Sequence, residues 1–189
     1  MSYDVKKEEK EYYQPKARPQ ILYLPQMRFI SLDVEDEEGI AEGHQRLVGA
    51  MKEIRSWDLA GSYDFVMPPL ELLWRNGKDP SKLPLASRRS FSVTLALRLP
   101  SFVPAFEVGS RLEGITCLTL EELECVQFLH TGSLARLKEG VAEADTYVKD
   151  FGLGIDTSLR RYHEIRLNDH LKTPTAKWRT VVRIPLSPS

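Results

Sequence analysis

Apolar and polar side chains alternate along several stretches of the chain, which is the pattern of β-strands with one buried face. The most regular stretch is 91–99, where apolar residues alternate with smaller or polar ones. Another places Ile30, Leu32 and Val34 on one face. This alternation predicts strands over 27–34, 65–74, 91–99, 161–167 and 178–186, with one or two more over 117–130.

Two other stretches repeat their apolar residues every three or four positions, as amphipathic helices do. The first helix is predicted over 40–57, after an acidic run that suits a helix N-terminus. The second begins after Ser133, a residue type that favours the N-cap, and ends at Gly152. The two apolar stripes comprise Ile40, Leu47, Met51 and Ile54, and Leu134, Leu137, Val141, Ala144, Val148 and Phe151.

The order of these elements describes the same unit twice. Each half reads β-α-β-β, with half-units at about 21–104 and 105–187 and a short helix near 105–112 between them. Two such units predict an α+β fold with an antiparallel sheet, helices on one face and a central cleft between the halves. Residues 21–189 are expected to form a single domain. Residues 1–20, charged and then punctuated by prolines, are expected to be an extended or disordered arm.

Composition and charge narrow the classes of function. The chain has 189 residues and a net charge of -1, which gives no basic face for a nucleic-acid partner. The start is charged, and no apolar stretch is long enough for a membrane span, so a cytoplasmic protein is expected. Cys117 and Cys125 are interpreted as reduced thiols, and His130 and His163 as structural. No metal or cofactor is expected, and the oligomeric state is left open.

Two glutamates lie inside apolar strand-like runs, where a carboxylate is costly to bury. They are Glu71, in the run 70–74, and Glu164, in the run 162–167. One interpretation is that both face a common hollow, where they bind a ligand or act as general acid or base. The other is that they lie on an exposed strand face, or pair with Arg75 or Arg166. Glu71 is preferred as the anchor, since Arg166 shares a strand face with Glu164.

Aromatic and thioether side chains near the glutamates are candidate walls of the same hollow. Trp74 and Tyr162 come first because they share strands with Glu71 and Glu164, and Phe91 and Met67 follow. Aromatic rings offer a large contact area with little side-chain entropy to lose. The alternative for each is a place in the core.

Five segments taken in order resemble those of GyrI-like small-molecule binding domains, over about residues 12–186. They are DFVMPPLELLW (64–74), FSVTLALRLPSFV (91–103), HTGS (130–133), RRYHEIRLNDHLKT (160–173) and KWRTVVRIP (177–185). The resemblance implies a duplicated, SHS2-like fold with a ligand cleft, related to SOUL-like domains. It also implies a stand-alone member that binds hydrophobic or amphipathic molecules or xenobiotics.

Two other functions are implied as alternatives. One is a hydrolase that opens cyclopropane or similar electrophilic rings of alkylating natural products, with Glu71 and Glu164 as catalytic residues. The other is a sensor or inhibitor module that acts on a protein partner. The chain departs from the family pattern by placing Arg75 and Arg166 where aromatic residues are usual. A polar or anionic ligand is therefore expected to be preferred over a flat polyaromatic one.

Overall fold

The predicted strands form an antiparallel sheet in the computed structural model, which describes residues 2–36, 38–57, 64–75, 92–156 and 162–188. The strands of this described part are β1 (Gln20–Leu24), β2 (Met27–Val34), β3 (Leu70–Arg75), β4 (Ser92–Arg98), β5 (Thr116–Leu120), β6 (Leu123–Thr131), β7 (Leu153–Ile155), β8 (Tyr162–Arg166) and β9 (Arg179–Pro188). Its helices are α1 (Val5–Glu8), α2 (Lys10–Tyr13), α3 (Ile40–Ser56), α4 (Ala105–Arg111) and α5 (Leu137–Lys149), with 3-10 turns at Leu134–Arg136 and Thr175–Lys177.

The order of the strands confirms the duplicated α+β fold. The curled sheet runs β1-β6-β9-β8-β3-β4-β2-β5, and β7 pairs with β9. One unit is β2-α3-β3-β4 and the other is β6-α5-β8-β9, so the two units meet where β3 pairs with β8. This central pair, with Leu70 opposite Arg166 and Trp74 opposite Tyr162, is the seam between the halves.

Most element bounds follow the sequence patterns, and the departures have local causes. The strand predicted over 65–74 begins only at Leu70, because Pro68 and Pro69 have no backbone N–H to donate to a neighbouring strand. The stretch 117–130 forms two strands, β5 and β6, separated by two glutamates. Cys117 and Cys125 are reduced thiols, as expected.

The helices α3 and α5 cover one face of the sheet at close range. A Cβ added at Gly43 of α3 would lie 2.6 Å from Cδ1 of Leu95, and one added at Gly140 of α5 would lie 2.6 Å from Cε2 of Phe128. Glycine at these two positions therefore lets each helix approach the strands of its own unit. No helix among the described residues is long and apolar enough to span a membrane.

The N-terminal segment differs from the extended arm expected for it. Residues 5–13 form the short helices α1 and α2, which cover the other face of the sheet. Val5 and Tyr13 are buried there against Ile165 and Val181. Helices of four residues are too short to show a periodic pattern and are stabilised by tertiary packing, so the sequence gives no local sign of them.

Candidate functional site

A cavity of 580 Å³ opens on the face of the sheet that carries α3 and α5. It lies between α3 and the 3-10 turn that precedes α5, at one end of the seam between the half-units. Its apolar lining comprises Ile40, Ala41, Val48, Met67, Pro68, Pro69, Leu70, Leu134, Leu167 and Leu171. Its polar and aromatic lining comprises Lys6, His44, Arg166, Asn168, Asp169, His170, Lys172 and Trp178. A largely apolar hollow with a few convergent polar groups is typical of a small-molecule site.

The seam supplies the floor of this cavity. The first pair on this face is Leu70 and Arg166, which both line the cavity. The second places Glu164 opposite Leu72, and the third places Tyr162 opposite Trp74. Paired residues in an antiparallel ladder share a face, so the cavity floor continues directly into a row of buried polar and aromatic side chains.

Glu164 is the centre of a buried hydrogen-bonded cluster next to the floor. Its Oε2 accepts hydrogen bonds from Trp74 Nε1 at 3.2 Å and from the Tyr162 hydroxyl at 2.9 Å. Its Oε1 lies 3.5 Å from Nε of Arg166. Trp74 and Tyr162 are therefore partners of a carboxylate beside the cavity, and they are not among the residues that line it.

Arg166 lies between this cluster and the cavity. Its side chain is 15% exposed, and its Nε has no hydrogen-bond partner among the described residues. Arg166 also affects the pKa of His44, which lies on the facing helix α3. Burial lowers the pKa of His44 below 6.5, and the positive charge of Arg166 lowers it too, although the carboxylate of Asp169 opposes this. The His44 ring is therefore neutral at pH 7.

A stacked pair of rings forms another wall of the cavity. The rings of His170 and Trp178 lie 4.2 Å apart with an angle of 2° between their planes, and Trp178 Nε1 donates to the Thr173 carbonyl at 2.8 Å. Sequence reasoning missed both rings, because the segment between β8 and β9 has no periodic pattern. It also missed His44, although His44 lies one helical turn from both Ile40 and Val48 and forms with them a second stripe on α3.

Two of the eight predicted ligand-binding residues, Met67 and Arg166, line the cavity. Phe91 lies outside the described residues, and so does the side chain of Arg75. Three more of the predicted residues lie in β3 and β8 on the same face of the sheet as the cavity, without lining it: Trp74, Tyr162 and Glu164. Glu71 lies on the opposite face.

The expectation that Glu71 and Glu164 face one hollow is wrong. In the β3–β8 ladder Glu71 is opposite Ile165, whereas Glu164 is opposite Leu72. Successive side chains of a strand point to opposite faces, so this one-residue offset sends the two carboxylates to opposite sides of the sheet. Glu164 faces α3 and α5, and Glu71 faces the N-terminal helices.

Glu71 belongs to a buried ionic network beneath α1 and α2. Its Oε1 accepts a hydrogen bond from the Tyr13 hydroxyl at 2.6 Å, and its Oε2 lies 2.6 Å from Nε2 of His163. Nδ1 of His163 lies 3.0 Å from Oε2 of Glu122, which is also 3.6 Å from Nη1 of Arg183. This arrangement supports the structural interpretation of His163.

The position of His163 predicts that stability falls as the pH rises. Burial alone would lower the pKa of His163, but the carboxylates of Glu122 and Glu71 outweigh burial and raise the pKa above 6.5. Protonated His163 stabilises the folded state. This contribution to the free energy of unfolding is fully present below the unfolded-state pKa of about 6.5, and it is lost as the pH rises through the higher folded-state pKa. Chemical denaturation from pH 6.5 to 9 should show this loss. His163→Gln should remove the part of this pH dependence of the free energy of unfolding that His163 causes. A wild-type free energy of unfolding that stays constant over this range would contradict the assignment.

Solved structures with this fold cover nearly the whole chain. A hydrolase from Listeria innocua is 30% identical, with 99% of this chain and 100% of that chain covered and a TM-score of 0.87. An uncharacterized conserved protein from Listeria innocua is 31% identical, with 98% and 100% covered and a TM-score of 0.83. SAV2435 bound to tetraphenylphosphonium is 13% identical, with 90% and 94% covered and a TM-score of 0.50, and shares the fold alone. Neither a scan against protein-family models nor a search of curated proteins finds a match.

Proposed function

The chain belongs to the family of these two Listeria innocua proteins, and we propose that it is a GyrI-like protein that binds small amphipathic molecules. The ligand lies in the cavity between α3 and the 3-10 turn before α5. The volume of 580 Å³ falls within the range of about 300–1,000 Å³ typical of ligand sites.

The observation that carries this proposal is the division of the cavity lining. Ile40, Val48, Leu70 and Leu134 give an apolar side formed by both half-units, and Arg166 gives a charged group on the floor. A ligand with an apolar body and one polar end satisfies both parts of this lining. SAV2435, which shares the fold, is bound to tetraphenylphosphonium, a molecule with a large apolar surface. Tetraphenylphosphonium is a lipophilic cation, so this likeness supports a ligand with a large apolar body and gives neither the charge nor the position of a ligand here.

Hydrolysis of a ligand has less support than binding. Glu164 is a buried carboxylate beside the cavity, but it does not line the cavity and its Oε1 faces Nε of Arg166. A general acid or base must come within hydrogen-bond reach of the group it acts on. Arg166 would have to move before Glu164 could meet this condition for a molecule in the described cavity.

Filling the cavity from α3 tests the binding proposal. We expect Ala41→Trp to place an indole in the cavity and to weaken binding at least about tenfold. Ala142→Trp is the matched control, since Ala142 is also exposed on a helix of this face and does not line the cavity. The probes are decanol, decanoate and decyltrimethylammonium, each titrated by calorimetry at concentrations where it is dissolved as single molecules.

The proposal requires that at least one probe bind the wild type and the Ala142→Trp variant with equal affinity. Two results would refute it: no probe binds the wild type, or Ala41→Trp binds as well as the control. Circular dichroism and thermal unfolding of both variants establish that each has folded.

A further inference from the structure

We propose that the cavity selects an anionic amphipathic ligand, whose carboxylate, sulfonate or phosphate group pairs with Arg166. This inference rests on the proposed function, because it assigns the chemistry of the ligand for the same cavity. Two features of the molecule support it: Arg166 has a hydrogen-bond donor that no described residue uses, and positive side chains outnumber carboxylates around the cavity.

Arg166 has a donor that the described part of the chain does not use. A guanidinium carries five N–H donors in a planar fork that matches the two oxygens of a carboxylate. Nε of Arg166 lies 3.5 Å from Oε1 of Glu164 and has no hydrogen-bond partner among the described residues. Because the side chain also lines the cavity, an anion there would receive two charge-assisted hydrogen bonds.

The charges around the cavity also favour an anion. Lys6, Lys172 and Arg166 line it as cations, and Asp169 is its anionic lining residue within the described chain. Asp169 is already engaged, since it accepts a hydrogen bond from the Leu171 N–H at 2.9 Å and lies 3.5 Å from Nζ of Lys172. Even when Glu164 is counted, the cations exceed the carboxylates by three to two.

The same side chains disfavour a lipophilic cation in the cavity. The buried negative charge of Glu164 would attract it, but Arg166 lies between that carboxylate and the cavity. The cation would face the guanidinium at short range, and a like charge without compensation disfavours binding. His44 adds no charge to this balance, because it is neutral at pH 7.

The probes with one decyl chain and three different head groups separate these cases. We expect decanoate to bind at least about tenfold more tightly than decanol, and decyltrimethylammonium to bind more weakly than decanol. Arg166→Met should reduce decanoate affinity about tenfold and decanol affinity much less, so that the preference for decanoate over decanol disappears. Arg166→Lys keeps the charge without the planar fork and should retain part of the preference.

A measurement on the wild type keeps the test valid if the variants fail to fold. Raising the salt concentration should weaken decanoate binding and leave decanol binding unchanged. If decanol binds and decanoate binds no more tightly, or if the preference survives Arg166→Met, this inference is overturned and the proposed function stands. If none of the three probes binds, the proposed function fails and the inference with it.

Discussion

Replacing Glu71 with leucine is expected to lower the free energy of unfolding by about 3–5 kcal/mol and to leave decanoate affinity within about twofold. Glu71 is buried, accepts a hydrogen bond from Tyr13 and forms a close ion pair with His163. Leucine removes one member of this network and leaves buried polar groups without their partner. The cavity is little affected because Glu71 points to the opposite face of the sheet, and α1 contributes a single side chain, Lys6, to the described lining.

Urea denaturation of the variant, together with calorimetric titration of decanoate, measures both effects. Glu124→Leu is the control, since Glu124 is an exposed glutamate in β6 and its replacement should change stability by less than about 0.5 kcal/mol. A tenfold loss of decanoate affinity in Glu71→Leu, with stability unchanged, would instead identify Glu71 as a ligand-binding residue.

Arg183→Met is expected to cost about 3–5 kcal/mol and to loosen the N-terminal helices from the sheet. The buried Arg183 donates to Gln127 Oε1 at 2.7 Å and to the Tyr12 carbonyl, and its guanidinium lies 5.6 Å from the centre of the Tyr13 ring. Methionine fills similar space but leaves these acceptors, and the carboxylate of Glu122, without the cation.

Two measurements check this second prediction. Denaturation gives the loss of stability, and limited trypsin digestion should cut the variant faster than the wild type after Lys6, Lys7 and Lys10. Arg179→Met is the control, because Arg179 is exposed at the start of the same strand. Unchanged stability with an unchanged rate of cleavage would show that Arg183 does not hold α1 and α2 in place.

The repeated units were predictable because their patterns are local. The stripe on α3 and the alternation along β2 and β4 follow directly from which side chains must be buried. The register between β3 and β8 is set by pairing across the chain, and no local pattern fixes it. The prediction that Glu71 and Glu164 lie on one face was therefore wrong, because the two residues are offset by one position in the ladder between β3 and β8. The helices α1 and α2 were missed because contacts with the far face of the sheet hold them.

The candidate site was predictable only in part for the same reason. Met67 was named because it lies near Glu71 in the sequence, and Arg166 because it replaces an aromatic residue of the family pattern, and both line the cavity. Trp178 was assigned to a strand, and His170 to the connection before it, whereas their rings stack at the cavity wall. Which loop side chains line a cavity depends on how the two half-units meet, and this is decided by tertiary packing.

A crystal structure of the protein with decanoate bound tests most directly whether the cavity between the half-units is the ligand site. We expect the carboxylate within hydrogen-bond distance of Arg166 and the decyl chain between Val48 and Leu134. Decanoate found on the face covered by α1 and α2, or at any place that leaves the cavity between the half-units empty, would contradict it.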